Sequence, residues 1–347
     1  MTFQADTFVF EANPVFDSPE AFTPPRRDVC RVRLSPRHGD GIREVNVRYA
    51  LYGAAAAPVV IVQGGISATR YAGDCDGQAG WWDEIVGADC AIDTRRFRVL
   101  SIEWLAHTDF ETYGADEAGE LRAVGSEDQA DAIAALLVEL GIRRAHAFVG
   151  ASYGAMVALA FAARHPERVN RLVAIAGAHC AHSLAIAVRN LQREIVRLSA
   201  RQGDAAAGLD LARRLAMTTY RGEREFAERC AAAPTFRDGR YRFAEEDWLE
   251  AAGSNFVKRF TAERFLSLSE SIDLHAIAPE DVRVPTTLIG IASDRLVPLS
   301  DLCELQRRCG SPATLHVIDS RYGHDAFLKE TQQIGLLLCE ALDAQGA

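Results

Sequence analysis

Short apolar runs punctuate this chain, separated by stretches with helical spacing. Val59–Gln63, Phe97–Ile102, Ala145–Val149, Val169–Ala176, Pro285–Ile289 and Leu315–Ile318 are each four to eight residues long. Runs of that length, bounded by turn residues, read as buried strands. Upstream, Val29–Leu34 and Val45–Leu51 read as a β-hairpin. Asp128–Leu140 has amphipathic spacing and stops at Gly141, as a helix does. Strands that alternate with helices build a mostly parallel sheet covered on both faces. Residues 1 to about 27 are polar and contain proline, which predicts an extended arm.

From about His182 to Pro279 the pattern changes. Helical periodicity dominates and no buried strand is expected. The simplest organisation is an α/β core interrupted by a helical lid. Residues 1–181 form the first part of the core, 182–281 the lid, and 282–347 the second part. A length of 347 residues suits one large domain with such an insertion. There is no internal repeat, and the only low-complexity stretch is Ala54–Ala57.

Composition excludes several classes of function. The net charge of −10 argues against a nucleic-acid partner. No apolar run is long enough to span a bilayer, and the first residues lack the basic-then-apolar pattern of a secretory signal. Eight cysteines are scattered without C-x-x-C spacing, which predicts reduced thiols in a cytoplasmic protein. No His/Cys cluster has metal-ligand spacing, so no metal is expected. Charge is uneven: Ala181–Phe243 holds twelve arginines and no lysine against seven acidic residues. This basic segment either guides an anionic substrate or forms solvated faces of amphipathic helices.

The chemistry concentrates at Gly150-Ala151-Ser152-Tyr153-Gly154, a G-x-S-x-G pattern between a predicted strand and a predicted helix. That context is a nucleophile elbow: a sharp turn lifts the serine above the sheet, and only small residues fit two positions away. A serine hydroxyl needs a base, and the base needs an orienting acid. His324, in Tyr322-Gly323-His324-Asp325, follows one late strand. Asp294, in Ser293-Asp294-Arg295, follows the strand before it. Both loops fall at the carboxyl edge of the sheet, where Ser152 projects. His107, His179 and His182 also follow strand-like runs, as pocket residues or as ordinary solvated or core histidines.

These segments together resemble the homoserine O-acyltransferases of the α/β-hydrolase fold. The resemblance runs through most of the chain: Gly80-Trp81-Trp82-Asp83, Ile92-Asp93-Thr94, Ser152-Tyr153-Gly154-Ala155-Met156, Leu191-Gln192-Arg193, Gly208–Arg213 with Thr219-Tyr220, and Phe256–Phe260 with Phe265-Leu266. Gly323–Leu328 is the most specific segment. The resemblance implies a triad of Ser152, Asp294 and His324, with oxyanion-hole amides from Gly65 and Tyr153. It implies that Arg213, Tyr220 and Asp325 hold the amino acid substrate. Arg213 has an alternative as an ion-pair partner of Asp210 or Glu223, and Asp325 as a helix N-cap. A succinyl group would need a further cation, for which Arg193 and Arg221 are the candidates, each with an alternative as a surface residue. The resemblance further implies L-homoserine and acyl-CoA (acetyl or succinyl) as substrates, no permanently bound cofactor, and a homodimer built through lid helices.

Two segments depart from the family pattern. Glu103–Phe110 stands where the family carries a Gly-rich run, and Gln63-Gly64-Gly65-Ile66-Ser67 replaces the usual end of the oxyanion strand. They leave the donor open, and L-serine remains an alternative acceptor. A carboxylester hydrolase is the main rival, sharing elbow, triad and oxyanion hole. The lid motifs and Asp325 separate the two.

Overall fold

The computed structural model describes residues 26–53, 56–74, 77, 79–112 and 120–343. The expected arm at 1–27 lies outside them except for Arg26 and Arg27, which begin the first strand.

Eight strands form the main sheet: β1 (Arg26–Leu34), β2 (Arg43–Tyr52), β3 (Val59–Gln63), β4 (Arg98–Ile102), β5 (Ala147–Ala151), β6 (Leu172–Ile175), β7 (Thr286–Ile291) and β8 (Ala313–Ile318). Their spatial order is β1-β2-β4-β3-β5-β6-β7-β8, and the short strand Phe110–Thr112 pairs with β2. The contacts of β2 with β1 and β4 are antiparallel, and every pairing from β4 to β8 is parallel. Both faces are covered, so the central strands read as continuous apolar runs. Along β3, Ile61 packs with Phe148 on one face, while Val60 and Val62 pack with Val149 on the other.

Helices α1 (Ser126–Glu139) and α2 (Tyr153–Arg164) cover the first face. The C-terminal helix Thr331–Asp343 and the segment around Trp82 and Ile92 cover the second. Between β6 and β7 the chain leaves the core and forms α3 (Ser183–Arg201), α4 (Ala205–Tyr220), α5 (Glu223–Arg229), α6 (Ala244–Val257) and α7 (Ala262–Leu274). Val196, Leu209, Phe256 and Phe265 form a separate small core there. Helices α3 and α4 approach so closely that a Cβ at Gly208 would lie 2.6 Å from that of Ser199. The excursion also holds an exposed hairpin, Thr235–Arg237 with Arg240–Arg242, turned by Asp238 and Gly239 at positive φ. The sequence carried its signal in the Asp-Gly pair.

Candidate active site

Ser152 stands where β5 turns into α2, with φ 57° and ψ −119°. Such a conformation costs a residue with a side chain on the order of 1–3 kcal/mol and persists only where its surroundings enforce it. The Ser152 amide donates to Ile175 O at 2.8 Å, and the Gly154 amide to Gly64 O at 2.9 Å. A Cβ at Gly150 would lie 2.2 Å from Gly154 O, and one at Gly154 would lie 2.2 Å from Gln63 O. Both glycines are therefore steric requirements of the turn.

The loop after β7 carries Asp294, and the turn Gly323–Leu328 after β8 carries His324. Ser152 Oγ lies 2.7 Å from His324 Nε2, and His324 Nδ1 lies 2.7 Å from Asp294 Oδ2. With Nδ1 donating to Asp294, Nε2 is free to accept the serine proton. The amides of Leu296 and Val297 donate to Asp294 Oδ1 at 2.8 and 3.1 Å. Burial pushes the His324 pKa down, but the charge and hydrogen bond of Asp294 and the charge of Asp325 outweigh it, so the net shift is upward. This chain of contacts can withdraw a proton from a hydroxyl and hold it.

Gly65 follows β3, and a Cβ built on it would lie 3.9 Å from Ser152 Oγ. Its backbone thus runs beside the hydroxyl. Tyr153 opens α2, with its own hydroxyl buried 2.6 Å from Ser271 Oγ. Two residues that sequence reasoning missed support this corner. Gln63 Oε1 accepts from Ser101 Oγ at 3.0 Å and from the Ile102 amide at 2.9 Å, tying the end of β3 to β4. Trp104 Nε1 donates to Gly65 O at 2.9 Å, and its ring meets that of Tyr153 edge-on with centroids 4.8 Å apart. Trp104 belongs to the segment that departs from the family pattern.

Two cavities meet at Ser152, Tyr220 and His324. The outer one, about 430 Å³, is bordered by Gly65, Trp81, Arg213, Arg221 and Asp325. The guanidinium of Arg213 lies over the rings of Tyr220 (5.3 Å) and Phe256 (4.8 Å). Arg213 has no ion pair among the described residues. Asp210, its sequence-level alternative, binds the neighbouring Arg214 instead. The Tyr220 ring lies 5.8 Å from that of His324. Asp325 Oδ2 is 2.9 Å from Arg221 Nε.

The two candidates for an acyl-pocket cation fare differently from expectation. Arg193 borders neither cavity. Its Nη1 is held by Asp273 Oδ2 at 2.6 Å and by Ser269 O and Oγ at 3.1 Å, inside the lid. Arg221 does reach the outer cavity, but Asp325 and Glu225 already balance its charge. The inner cavity is bordered by Met156, His182, Arg189, Ile272 and Leu296, and its cation is Arg189. The sequence signal was spacing: Arg189 and Arg193 are one turn apart on one helix face. Of the three other histidines named from the sequence, only His182 borders either of these two cavities, where Asp301 holds its Nδ1 at 3.0 Å.

The family profile of the α/β-hydrolase fold matches residues 57–331. The chain is 47% identical to a homoserine O-succinyltransferase of Xanthomonas campestris pv. campestris, over 99% of this chain and 89% of that protein. It is 29% identical to a serine O-succinyltransferase of Xylella fastidiosa, over 88% of this chain and 94% of that one. Among solved structures, a homoserine O-acetyltransferase from Bacillus anthracis superposes with a TM-score of 0.82 at 20% identity, covering 94% of this chain and 99% of that one. With a catalytic-type elbow, an inserted lid and a near-full-length relative at that identity, the chain belongs to the homoserine O-acyltransferase family of the α/β-hydrolase fold.

Proposed function

We propose that this protein transfers an acyl group from acyl-CoA to the side-chain hydroxyl of L-homoserine, a step toward methionine. The observation that carries this reading is a single cavity bordered by Ser152, His324, an unpaired Arg213 and Asp325. A homoserine zwitterion offers one carboxylate and one ammonium. Arg213 can take the carboxylate through two parallel hydrogen bonds. Asp325 can take the ammonium through Oδ1, which has no partner among the described residues, while Arg221 steadies Oδ2. Fixing both ends aims the hydroxyl at Ser152.

The reaction runs in two halves. Ser152 Oγ attacks the thioester carbonyl as its proton passes to His324 Nε2, and Asp294 stabilises the resulting imidazolium. The amides of Gly65 and Tyr153 receive the oxyanion, each worth roughly 2.7–4 kcal/mol. The C–S bond breaks, and the CoA sulfur takes the proton from His324. Homoserine then loses its hydroxyl proton to His324 and attacks the acyl-serine. Ser152 leaves with that proton. These residues carry every step with acyl-CoA as the only co-substrate.

The 47% identical relative favours succinyl-CoA as donor. The lid surface suits a second copy of the chain: Leu184, Leu191 and Leu198 recur every seventh residue of α3 and are each more than half exposed. We place the reaction in the cytoplasm, where the seven described cysteines, all free, would stay reduced.

CoA release from succinyl-CoA and acetyl-CoA, with L-homoserine, L-serine or neither, tests the reading. Homoserine-dependent release is expected, and Ser152→Ala should lower it by at least about 10⁴-fold. Release that ignores the acceptor would make water the acceptor and the protein a hydrolase. A serine preference would keep the chemistry and change the product.

A further inference from the structure

Helix α7 of the lid meets the core at the corner where the assigned oxyanion donors sit. Arg264, Leu268 and Ser271 recur at helical spacing and share one face of α7. Leu268 is buried in the main core. Ser271 Oγ lies 2.6 Å from the hydroxyl of Tyr153, and both side chains are buried. Two turns earlier, Arg264 Nη2 donates to Trp104 O, and the indole of Trp104 donates to Gly65 O. One helix thus touches the residue behind each donor: Tyr153 directly, and Gly65 through Trp104.

The helix is itself held from both sides. Asp273 binds Arg189 and Arg193 of α3. His275, which ends α7, is buried; its Nε2 donates to Ala178 O at 3.1 Å and its Nδ1 accepts from the Ser126 hydroxyl at 2.7 Å. The chain enters and leaves the lid here, where the Ile277 amide donates to His179 O at 2.9 Å. Tyr153 is the first residue of α2, and the first amides of a helix have no acceptor within it. Its N–H is therefore available to an oxyanion, and the direction of that N–H depends on how the residue is held. The ring is a rigid lever on this backbone: Trp104 meets it edge-on, and Ser271 holds its tip.

We propose that Ser271 is a positioning residue: through the Tyr153 side chain it makes the oxyanion hole depend on the seating of lid helix α7. The hole is then complete only in a molecule whose lid is docked. Ser271 borders neither cavity and acts on the transition state through the Tyr153 amide. Ile272, the next residue, borders both cavities. The helix that sets the donor therefore also contacts whatever fills the site. This rests on the acyltransferase reading above for its thioester donors, and adds a link between lid and elbow.

The test follows the burst of CoA released without acceptor, by rapid quench, with succinyl-CoA and with acetyl-CoA. Ser271→Ala and Tyr153→Phe should each lower the acylation rate constant by roughly 10-fold and leave the half-saturating donor concentration unchanged, the mark of an interaction that counts only in the transition state. The double variant should be no slower than the slower single one, because both changes remove the same bond. Gln129 is a second partner of the Tyr153 hydroxyl, so Ser271→Ala should fold. Single variants whose rate constants stay within about twofold of the wild type overturn the proposal, whatever their melting temperature, since Ser271 then serves stability alone. Losses that multiply in the double variant overturn it too, as the two side chains would then act apart. If near-ultraviolet circular dichroism shows Ser271→Ala unfolded, Tyr153→Phe decides: an unchanged rate constant overturns the proposal and a roughly 10-fold loss supports it. If neither thioester acylates the wild type, the acyltransferase reading fails. Acylation by p-nitrophenyl acetate, which passes through the same oxyanion, then applies these criteria to Ser271.

Discussion

The indole of Trp104 donates its N–H to the carbonyl oxygen of Gly65 at 2.9 Å, beneath the corner where Ser152 projects. The same ring packs edge-on against Tyr153. One side chain thus braces the backbone on both sides of the assigned oxyanion hole. The segment that replaces the family's Gly-rich run supplies this brace.

Trp104→Phe keeps most of the ring packing and removes the donor. The Ala68 amide still satisfies the Gly65 carbonyl at 2.9 Å, so the fold should survive. A loosened Gly65 should misplace its amide and slow acylation by roughly 10-fold, with little change in KM for homoserine. Rapid-quench measurement of acyl-enzyme formation checks this. An unchanged acylation rate would mean that Trp104 supports packing only.

Removal of Arg213 should affect the second half-reaction. Arg213→Ala is expected to raise KM for homoserine by about 30-fold or more, from the loss of a charge-assisted pair. The burst of CoA released without acceptor should persist. Equal losses in both half-reactions would show that Arg213 organises the lid rather than the acceptor.

The raised pKa of His324 fixes the direction of one pH effect. A general base works unprotonated, so acylation should rise with pH through an apparent pKa above the ordinary histidine value of about 6.5. Asp325 contributes to the upward shift. Asp325→Asn should therefore move the acid limb of the acylation rate to lower pH. A limb that stays in place, or moves upward, would contradict the electrostatic coupling between these neighbours.

The leucine stripe on α3 makes the assembly state testable. Leu191→Arg places a charge in the middle of Leu184, Leu191 and Leu198, all exposed in the single chain. The wild-type protein is expected to sediment as a dimer and this variant as a monomer at micromolar concentration. A wild-type monomer would remove the interface.

Much of the core was legible because both sheet faces are buried, which leaves uninterrupted apolar runs. Strand ends were less so. Ala145 and His146 were expected to begin β5, yet its ladder with β3 starts at Ala147, and Ala145 makes only an isolated bridge to Val169. The Gly-x-Ser-x-Gly motif was readable because sterics impose it locally. The placement of the arginines was not. Arg189, Arg193 and Arg221 are equivalent in a sequence, and only the packing of the lid helices puts Arg189 in the wall of the cavity beside Ser152 while Arg193 stays outside it. Trp104 was hidden for a similar reason, since its partner Gly65 lies far back in the chain.

The excursion between β6 and β7 also orders events during synthesis. Ser152 is translated about 140 residues before Asp294 and about 170 before His324. A ribosome-bound chain that has just completed β5, α2 and the lid holds a serine without its base. A chain shorter than 324 residues lacks His324, so Ser152 has no general base in it. The proton acceptor for the serine comes only with the turn that follows β8, the last strand of the sheet.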